Sequence, residues 1–421
     1  MNHPLMRRLG LSGRRYPAAL WYLTVCLIAS LLFVIFQGGK LATMLLGSVT
    51  VLSIYLVLGN WSGIKRTLGE RALGSCEEAA ETQLDAGQPL EVRIRLQIPG
   101  IWPIPYVVVR DRLLRQNGEE IGFEGSLVPD WKRRGEWTYS TPPLRRGFYR
   151  FGTTECVTED IFGFFQHKGR LQLQQQVVVY PQTVMIKEWL QFHQMIKGLQ
   201  HHSTTTRAQR ETTQINGVRE YIYGDRISRI HWNATAKTGT WKSKEFERES
   251  LPKTIVLLDR TAAAYRDAAE FELAVSTAAS LLRYGSSRQL ALGLLSVGRE
   301  LAFFEPKVGH KHLKETMNHL VGVEADGHRS LLQIIRDRTR DIPSGSFFVI
   351  ISPQKGAAVL QAMNYLNQHQ INPCHFWIHS AEGEALREDW LKAVRARGYL
   401  GYEVDELAEL SSILGGAKRY A

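Results

Sequence analysis

Three periods of hydrophobic and polar positions succeed one another along this chain of 421 residues, and each predicts a different kind of element. Residues 18–36 (AALWYLTVCLIASLLFVIF) carry no charge, nor do residues 41–58 (LATMLLGSVTVLSIYLVL), and only Gln37, Gly38, Gly39 and Lys40 separate them. Runs of about 20 apolar residues are long enough to cross ~30 Å of hydrocarbon as helices, so residues 1–62 predict a two-span hairpin. From about Cys76 the period falls to two. Residues 90–98 are apolar at even positions and mostly charged at odd ones, the pattern of a strand with one buried and one wet face. Similar runs at 104–109, 121–128, 136–140, 149–156 and 171–180, punctuated by Gly and Pro, predict an all-β immunoglobulin-like sandwich over residues 75–184. Residues 185–214 read as a connector. From residue 251 to 421 apolar strands at 254–259, 289–296, 347–352, 374–379 and 399–404 interleave with helical patterns. That order specifies an α/β domain, a mostly parallel sheet covered on both faces.

The stretch between connector and α/β domain, residues 215–250, has its own physics. Gly217 and Gly224 permit tight bends, so residues 218–223 predict a short strand. Asp225 is placed to cap a helix that ends at Lys237 and Thr238, with Gly239 as a left-handed stop. On that helix Ile227, Ile230, His231 and Ala234 fall on one apolar stripe, and Arg226, Arg229, Asn233 and Lys237 on the other side. Lys242 and Lys244 on the next strand continue the basic side.

The run GVREYIYGDRISRIHWNATAKTGTWKSKEF, residues 217–246, closely resembles the core motif of the bacterial family called domain of unknown function 58. Gly217, Arg219, Tyr221, Gly224, Asp225, Arg229, Ile230, Trp232, Ala236 and Phe246 fill that family's pattern. Residues 144–151 and 159–165 resemble its second block, with Ile161 where the family usually has proline; there residues 160–163 predict a turn that buries Phe162 and Phe165. The resemblance implies a von Willebrand factor type A-like (Rossmann-like) domain for residues 251–421. It also implies a partner, because the family commonly accompanies MoxR-type AAA+ ATPases. Type A domains hold a divalent cation with a D-x-S-x-S strand end. The matching positions here are Asp259, Thr261 and Ala263, and the later strand ends in Ser352 and Pro353 without an aspartate. The implied metal site is degenerate.

Charge then narrows the partners. The net charge of +11 favours acidic surfaces, and the apolar hairpin puts the lipid bilayer first. Arg7, Arg8, Arg14 and Arg15 precede the first run and Lys65, Arg66 and Arg71 follow the second, while the connecting loop holds Lys40 alone. The positive-inside rule therefore puts both termini and the domains in the cytoplasm, with Trp21, Tyr22 and Trp61 as interfacial aromatics. Clustered aromatics in a basic groove, which a single-strand nucleic-acid binder needs, are lacking. Cys26, Cys76, Cys156 and Cys374 have no metal or redox spacing, and His193, His201 and His202 read as solvated loop residues. No P-loop, nucleophile elbow or zinc-protease pattern occurs, and no cofactor is expected.

The expected function is a membrane-anchored, non-enzymatic scaffold or adaptor for a MoxR-type ATPase in cell-envelope or protein-maturation processes; self-association stays open. Its interaction residues are Arg219, Glu220, Tyr221, Gly224, Asp225, Arg226, Arg229, Trp232 and Lys237. Arg229 is the first choice for an internal ion pair. The alternative is an enzyme acting on cell-envelope intermediates, with its site around Glu220, Asp225 and His231. Topology is testable at Cys76: a membrane-impermeant maleimide should label it only after permeabilisation. Labelling in intact cells would reverse the orientation.

Overall fold

The computed structural model describes residues 15–58, 62–74, 83–101, 104–160, 166–190, 192, 211–223, 225, 227–248, 253–379 and 384–416. Cys76, residues 161–165 with the expected buried turn, His193, His201, His202, Gly224 and Arg226 lie outside them. The chain divides into two compact units, Met1–Tyr180 and Pro181–Ala421.

Helices α1 (Arg15–Gln37) and α2 (Gly39–Leu58) open the first unit. Gly38 and Gly39 between them both take positive φ, a region that a Cβ disfavours. The helix Gly39–Leu58 is long and apolar enough to cross a membrane, with mean hydropathy 2.2, and the run Trp21–Gln37 is a shorter apolar helix.

Ten strands follow: β1 (Leu68–Leu73), β2 (Gln83–Asp85), β3 (Glu91–Gln97), β4 (Val107–Arg115), β5 (Glu120–Leu127), β6 (Arg134–Ser140), β7 (Gly147–Phe151), β8 (Thr154–Glu159), β9 (Gln166–Leu171) and β10 (Gln176–Tyr180). One sheet has the order β1-β3-β6; the other runs β2-β10-β7-β4-β8-β9, with β5 paired to β4. All pairings are antiparallel except β10 with β2. Val92, Ile94 and Leu96 of β3 alternate inward as their period requires, and share one core with Val107, Val109 and Leu113 of β4. Strand β1 begins before the point where the sequence pattern turned strand-like.

That strand also brings a charge into the core. Arg71 of β1, which the sequence placed among the charges flanking the membrane, has a side chain only 1% exposed. Its Nη2 donates to Asp111 Oδ1 on β4 at 2.6 Å and to Thr154 Oγ1 on β8 at 2.9 Å, its Nη1 donates to the Leu173 carbonyl, and its guanidinium lies 4.1 Å over the Phe151 ring. Tyr139 of β6 donates to Asp111 Oδ2 at 2.6 Å. Burial lowers the Arg71 pKa, an effect that the Asp111 charge opposes, and burial beside Asp111 raises that of Tyr139. The network joins the two sheets through their shared core.

In the second unit β11 (Glu211–Glu220), α3 (Trp232–Thr238) and β12 (Lys242–Arg248) form a small module. Then come β13 (Thr254–Asp259), α4 (Ala268–Ser287), β14 (Leu292–Val297), β15 (Leu301–Lys307), α5 (His310–Gly322), α6 (Leu331–Arg338), β16 (Phe347–Ser352), α7 (Ala357–Gln368), β17 (Asn372–Ile378), α8 (Glu384–Arg395), β18 (Leu400–Val404) and α9 (Leu410–Leu414). The sheet order is β15-β14-β13-β16-β17-β18. Only β15 is antiparallel to its neighbour. Strands β13, β14 and β16 are buried at every position, because one face packs on α4, α5 and α9 and the other on α6, α7 and α8. Ile186, Trp189 and Phe192, within the stretch read as a connector, are buried in the first of these cores, and Trp189 Nε1 donates to Tyr402 at 2.8 Å.

Removing one partner of a buried ion pair strands the other charge and typically costs about 3–5 kcal/mol, whereas apolar replacement of both can be neutral. Asp111→Ala should therefore destabilise the β-rich unit by about that amount, and Arg71→Met with Asp111→Leu should recover most of it. Thermal unfolding of the solubilised chain reads the difference. Equal losses in the single and double variants would show that the pair is not the source.

Candidate functional site

Strands β11 and β12 pair antiparallel, with Glu220 opposite Lys242, Arg219 opposite Ser243 and Val218 opposite Lys244. Beyond the ladder Tyr221 N donates to the Trp241 carbonyl at 2.9 Å. The expected cap at Asp225 does not form. Its Oδ1 accepts from Arg219 Nη2 at 2.7 Å and its Oδ2 from Ile222 N at 3.2 Å, so it closes the turn leaving β11. The Arg219 hydrogen bond is the main reason that the Asp225 pKa lies below its ordinary value. Tyr221 Oη adds a bond to the Asp225 carbonyl at 3.3 Å.

The expected single helix is broken in two. Ile227–Arg229 is one 3₁₀ turn, and Ile230 then bridges to Ser243 of β12. His231 N donates to the Lys242 carbonyl at 2.8 Å, and His231 Nδ1 accepts from Ala234 N at 3.1 Å as the cap of α3. Pairing with β12 buries Ile230 and satisfies the backbone there by a strand bridge instead of a helical bond. Gly239 is the left-handed stop, φ 69°, as the sequence predicted. The apolar stripe therefore fails: Ile230 is buried, but Ile227 is exposed. The basic stripe is not one helical face either, since Arg229 lies in the 3₁₀ turn while exposed Asn233 and Lys237 lie on α3.

Ion pairs of the module include Arg219–Asp225 at 2.7 Å and Lys242–Glu220 at 3.1 Å. Glu220, Asp225 and His231 are thus held by different partners, and no described hydrogen bond joins two of them. Trp232, one of the expected interaction residues, is largely exposed. What sequence reasoning missed is the apolar company it keeps: Ile222, Tyr223, Ile227 and Trp241 are also largely exposed, Tyr223 completely. Trp241 lies 6.2 Å from Trp232 and 5.7 Å from Tyr221, ring centre to ring centre. The available signal was four aromatics within residues 221–241, which no apolar period absorbs.

A second site lies where open α/β sheets bind ligands, at the carboxyl ends of the strands beside the reversal of strand order. Asp259 ends β13 and is completely buried. Its Oδ1 accepts from Thr261 N at 3.0 Å and Thr261 Oγ1 at 2.7 Å; its Oδ2 accepts from Ser352 Oγ at 2.7 Å and Gln354 Nε2 at 3.0 Å. Tyr265 Oη donates to the Asp259 carbonyl, and burial, then the Asp259 charge, raises the Tyr265 pKa well above its ordinary value. Arg260 is directed to another loop, with Nη2 on Asp326 Oδ1 at 2.7 Å and Nε on the Glu324 carbonyl at 2.8 Å. A divalent cation takes six or more oxygens, or a near-octahedral set with waters. Here the one carboxylate has four neutral donors on it and Ala263 offers no side-chain oxygen. The residues do not fit the cation that the type A resemblance implies.

Residues 217–370 match the family model described as "Protein of unknown function DUF58". The uncharacterized protein YeaD of Bacillus subtilis (strain 168) is 24% identical over 380 residues, covering 82% of this chain and 90% of that protein. Among solved structures, proximal thread matrix protein 1 from the mussel byssus is 12% identical with a TM-score of 0.30, over 39% of this chain and 45% of that one. The C-terminal domain of wzt is 12% identical with a TM-score of 0.21, over 30% and 84%. Scores of that size establish no common fold.

The closed Asp259 crevice predicts that millimolar Mg²⁺ or Mn²⁺ produces no saturable heat in titration calorimetry of the solubilised protein. A clear isotherm that Asp259→Ala abolishes would overturn this.

Proposed function

Residues 217–370 make this chain a member of the DUF58 family, and from that premise we propose that it acts as a membrane-anchored, non-enzymatic adaptor. In this reading α1 and α2 are two spans and both termini and the domains are cytoplasmic, as the distribution of Lys and Arg favours. Strands β1–β10 are an immunoglobulin-type sandwich and β13–α9 a type A domain. The partner is the one that the family resemblance implies, a MoxR-type AAA+ ATPase, in cell-envelope or protein-maturation work.

The observation that carries the reading is the exposed apolar face of the family motif. Ile222, Tyr223, Ile227, Trp232 and Trp241 stand in solvent within one small module whose fold is held by Arg219–Asp225, Ile230 and the β11–β12 ladder. Protein interfaces concentrate their binding energy in Trp, Tyr and Arg, and exposed apolar patches rimmed by polar residues mark such interfaces. Residues 221–244 contain five cations, Arg226, Arg229, Lys237, Lys242 and Lys244, and one acid, Asp225; although Lys242 pairs with Glu220, the surplus favours an acidic partner surface. The hydrogen-bonded Asp259 supports the non-enzymatic side of the reading, since the usual ligand crevice is occupied by side chains of the chain itself.

Surface substitutions away from caps and pairs usually change stability by less than ~0.5 kcal/mol. Tyr223→Glu with Lys237→Glu should therefore leave the melting temperature nearly unchanged and weaken co-purification of the ATPase at least tenfold, most visibly at low salt. A sharp fall in melting temperature would make the face structural. Undiminished co-purification would place docking elsewhere.

A further inference from the structure

A second set of exposed apolar residues lies in the β-rich unit, at the end where the chain leaves its anchor. Ser62 follows Leu58, the last residue of α2, by four residues, so at ~3.6 Å per residue the two are no more than ~14 Å apart. If Leu58 ends a span, Ser62 lies in or beside the headgroup layer, which adds roughly 5–8 Å to each side of the hydrocarbon. Two loops are strapped to this segment. Arg133 Nη2 donates to the Ser62 carbonyl, and the Arg133 carbonyl accepts from Ile98 N at 3.0 Å. Gly63, at φ 76°, comes so close to the Pro99 carbonyl that a Cβ there would overlap it. The β3–β4 loop and the β5–β6 loop are thereby held beside the residue that the anchor delivers.

Both loops end in bare apolar side chains. Ile101 is 99% exposed, Trp131 is fully exposed and Val128 is 75% exposed, with Leu68 of β1 also largely exposed. Lys65, Arg66, Lys132 and Arg134 are exposed in the same segments, and the acids Glu70, Asp130 and Glu136 line one cavity with Leu68 and Arg134. Trp and long aliphatic residues ringed by Lys and Arg are the composition of a bilayer interface, where the apolar body enters the acyl boundary and the cations meet anionic headgroups. We propose that these two loops dock on the bilayer itself, with Ile101 and Trp131 reaching below the headgroups and Lys65, Arg66, Lys132 and Arg134 on the phosphates. The occupant follows from chain length: four residues of tether leave the lipid surface within reach of whatever holds Ser62. The docking fixes which end of the β-rich unit faces the membrane. The β4–β5 turn at Gln116 lies about one strand away, ~26 Å for eight residues.

This rests on the reading of α2 as a span, and the experiment separates the two. The full-length chain carries Cys26→Ala and Cys76→Ser; Cys156 and Cys374 are buried. An environment-sensitive fluorophore is placed singly at Trp131→Cys, Ile101→Cys, Gln116→Cys or Val51→Cys, and the protein is reconstituted in vesicles of phosphatidylcholine and phosphatidylglycerol bearing nitroxide lipids. Probes at 131 and 101 should be blue-shifted and quenched severalfold by nitroxides near the headgroup, the probe at 51 by nitroxides deep in the chains, and the probe at 116 by neither. Quenching at 51 but none at 131 and 101 overturns the loop docking alone. No quenching at 51 removes the span and the docking with it. Shielding of 131 and 101 in native membranes but not in protein-free vesicles would assign the loops to a protein, and also overturns the proposal.

Discussion

Two charges buried against each other set the terms for the β-rich unit. Arg71 and Asp111 are almost wholly withdrawn from water, so each needs the other and the Thr154 and Tyr139 hydroxyls to replace its hydration. Arg71 stands on β1, the first strand after α2, Tyr139 on the same sheet, and Asp111 and Thr154 on the facing sheet. Closing the two sheets and seating β1 are therefore one event. An apolar pair would hold the sheets together as well, but would not oblige β1 to take one register.

The legible parts of the fold are those where periodicity and burial agree. Strands β13, β14 and β16 are apolar throughout because helices cover both faces, and β3 alternates because only one of its faces is covered. Strand β1 hid because its sequence, LGERAL, neither alternates cleanly nor runs apolar, and one of its buried side chains is an arginine. A lone sequence assigns such an arginine to the membrane flank, since charge bias is a local pattern whereas the partner, Asp111, is forty residues away.

The motif shows the same competition at shorter range. Helical spacing linked Ile227, Ile230, His231 and Ala234, and Asp225 looked like their cap. Tertiary pairing overrode propensity: a strand bridge at Ile230 and the Arg219–Asp225 pair use the same residues more fully than one helix would. That Tyr223 and Trp241 stay in solvent beside Trp232 was illegible for a related reason. Nothing local distinguishes an aromatic residue that will be buried from one left in solvent; here Ile230 and Ser243 fill the interior, and Trp232, Trp241 and Tyr223 are left outside.

The saturated carboxylate of Asp259 bears on regulation. A domain becomes a switch when a ligand binds one of its conformations better than another, and the shift can never exceed that difference in affinity. Type A modules that hold a cation can couple its ligation to movement. With Thr261, Ser352 and Gln354 already on both oxygens, this crevice offers an incoming ion little to gain from either state. The domain is in this respect constitutive. On the adaptor role proposed above, control over recruitment would rest with the amount of chain, the bilayer or the state of the partner.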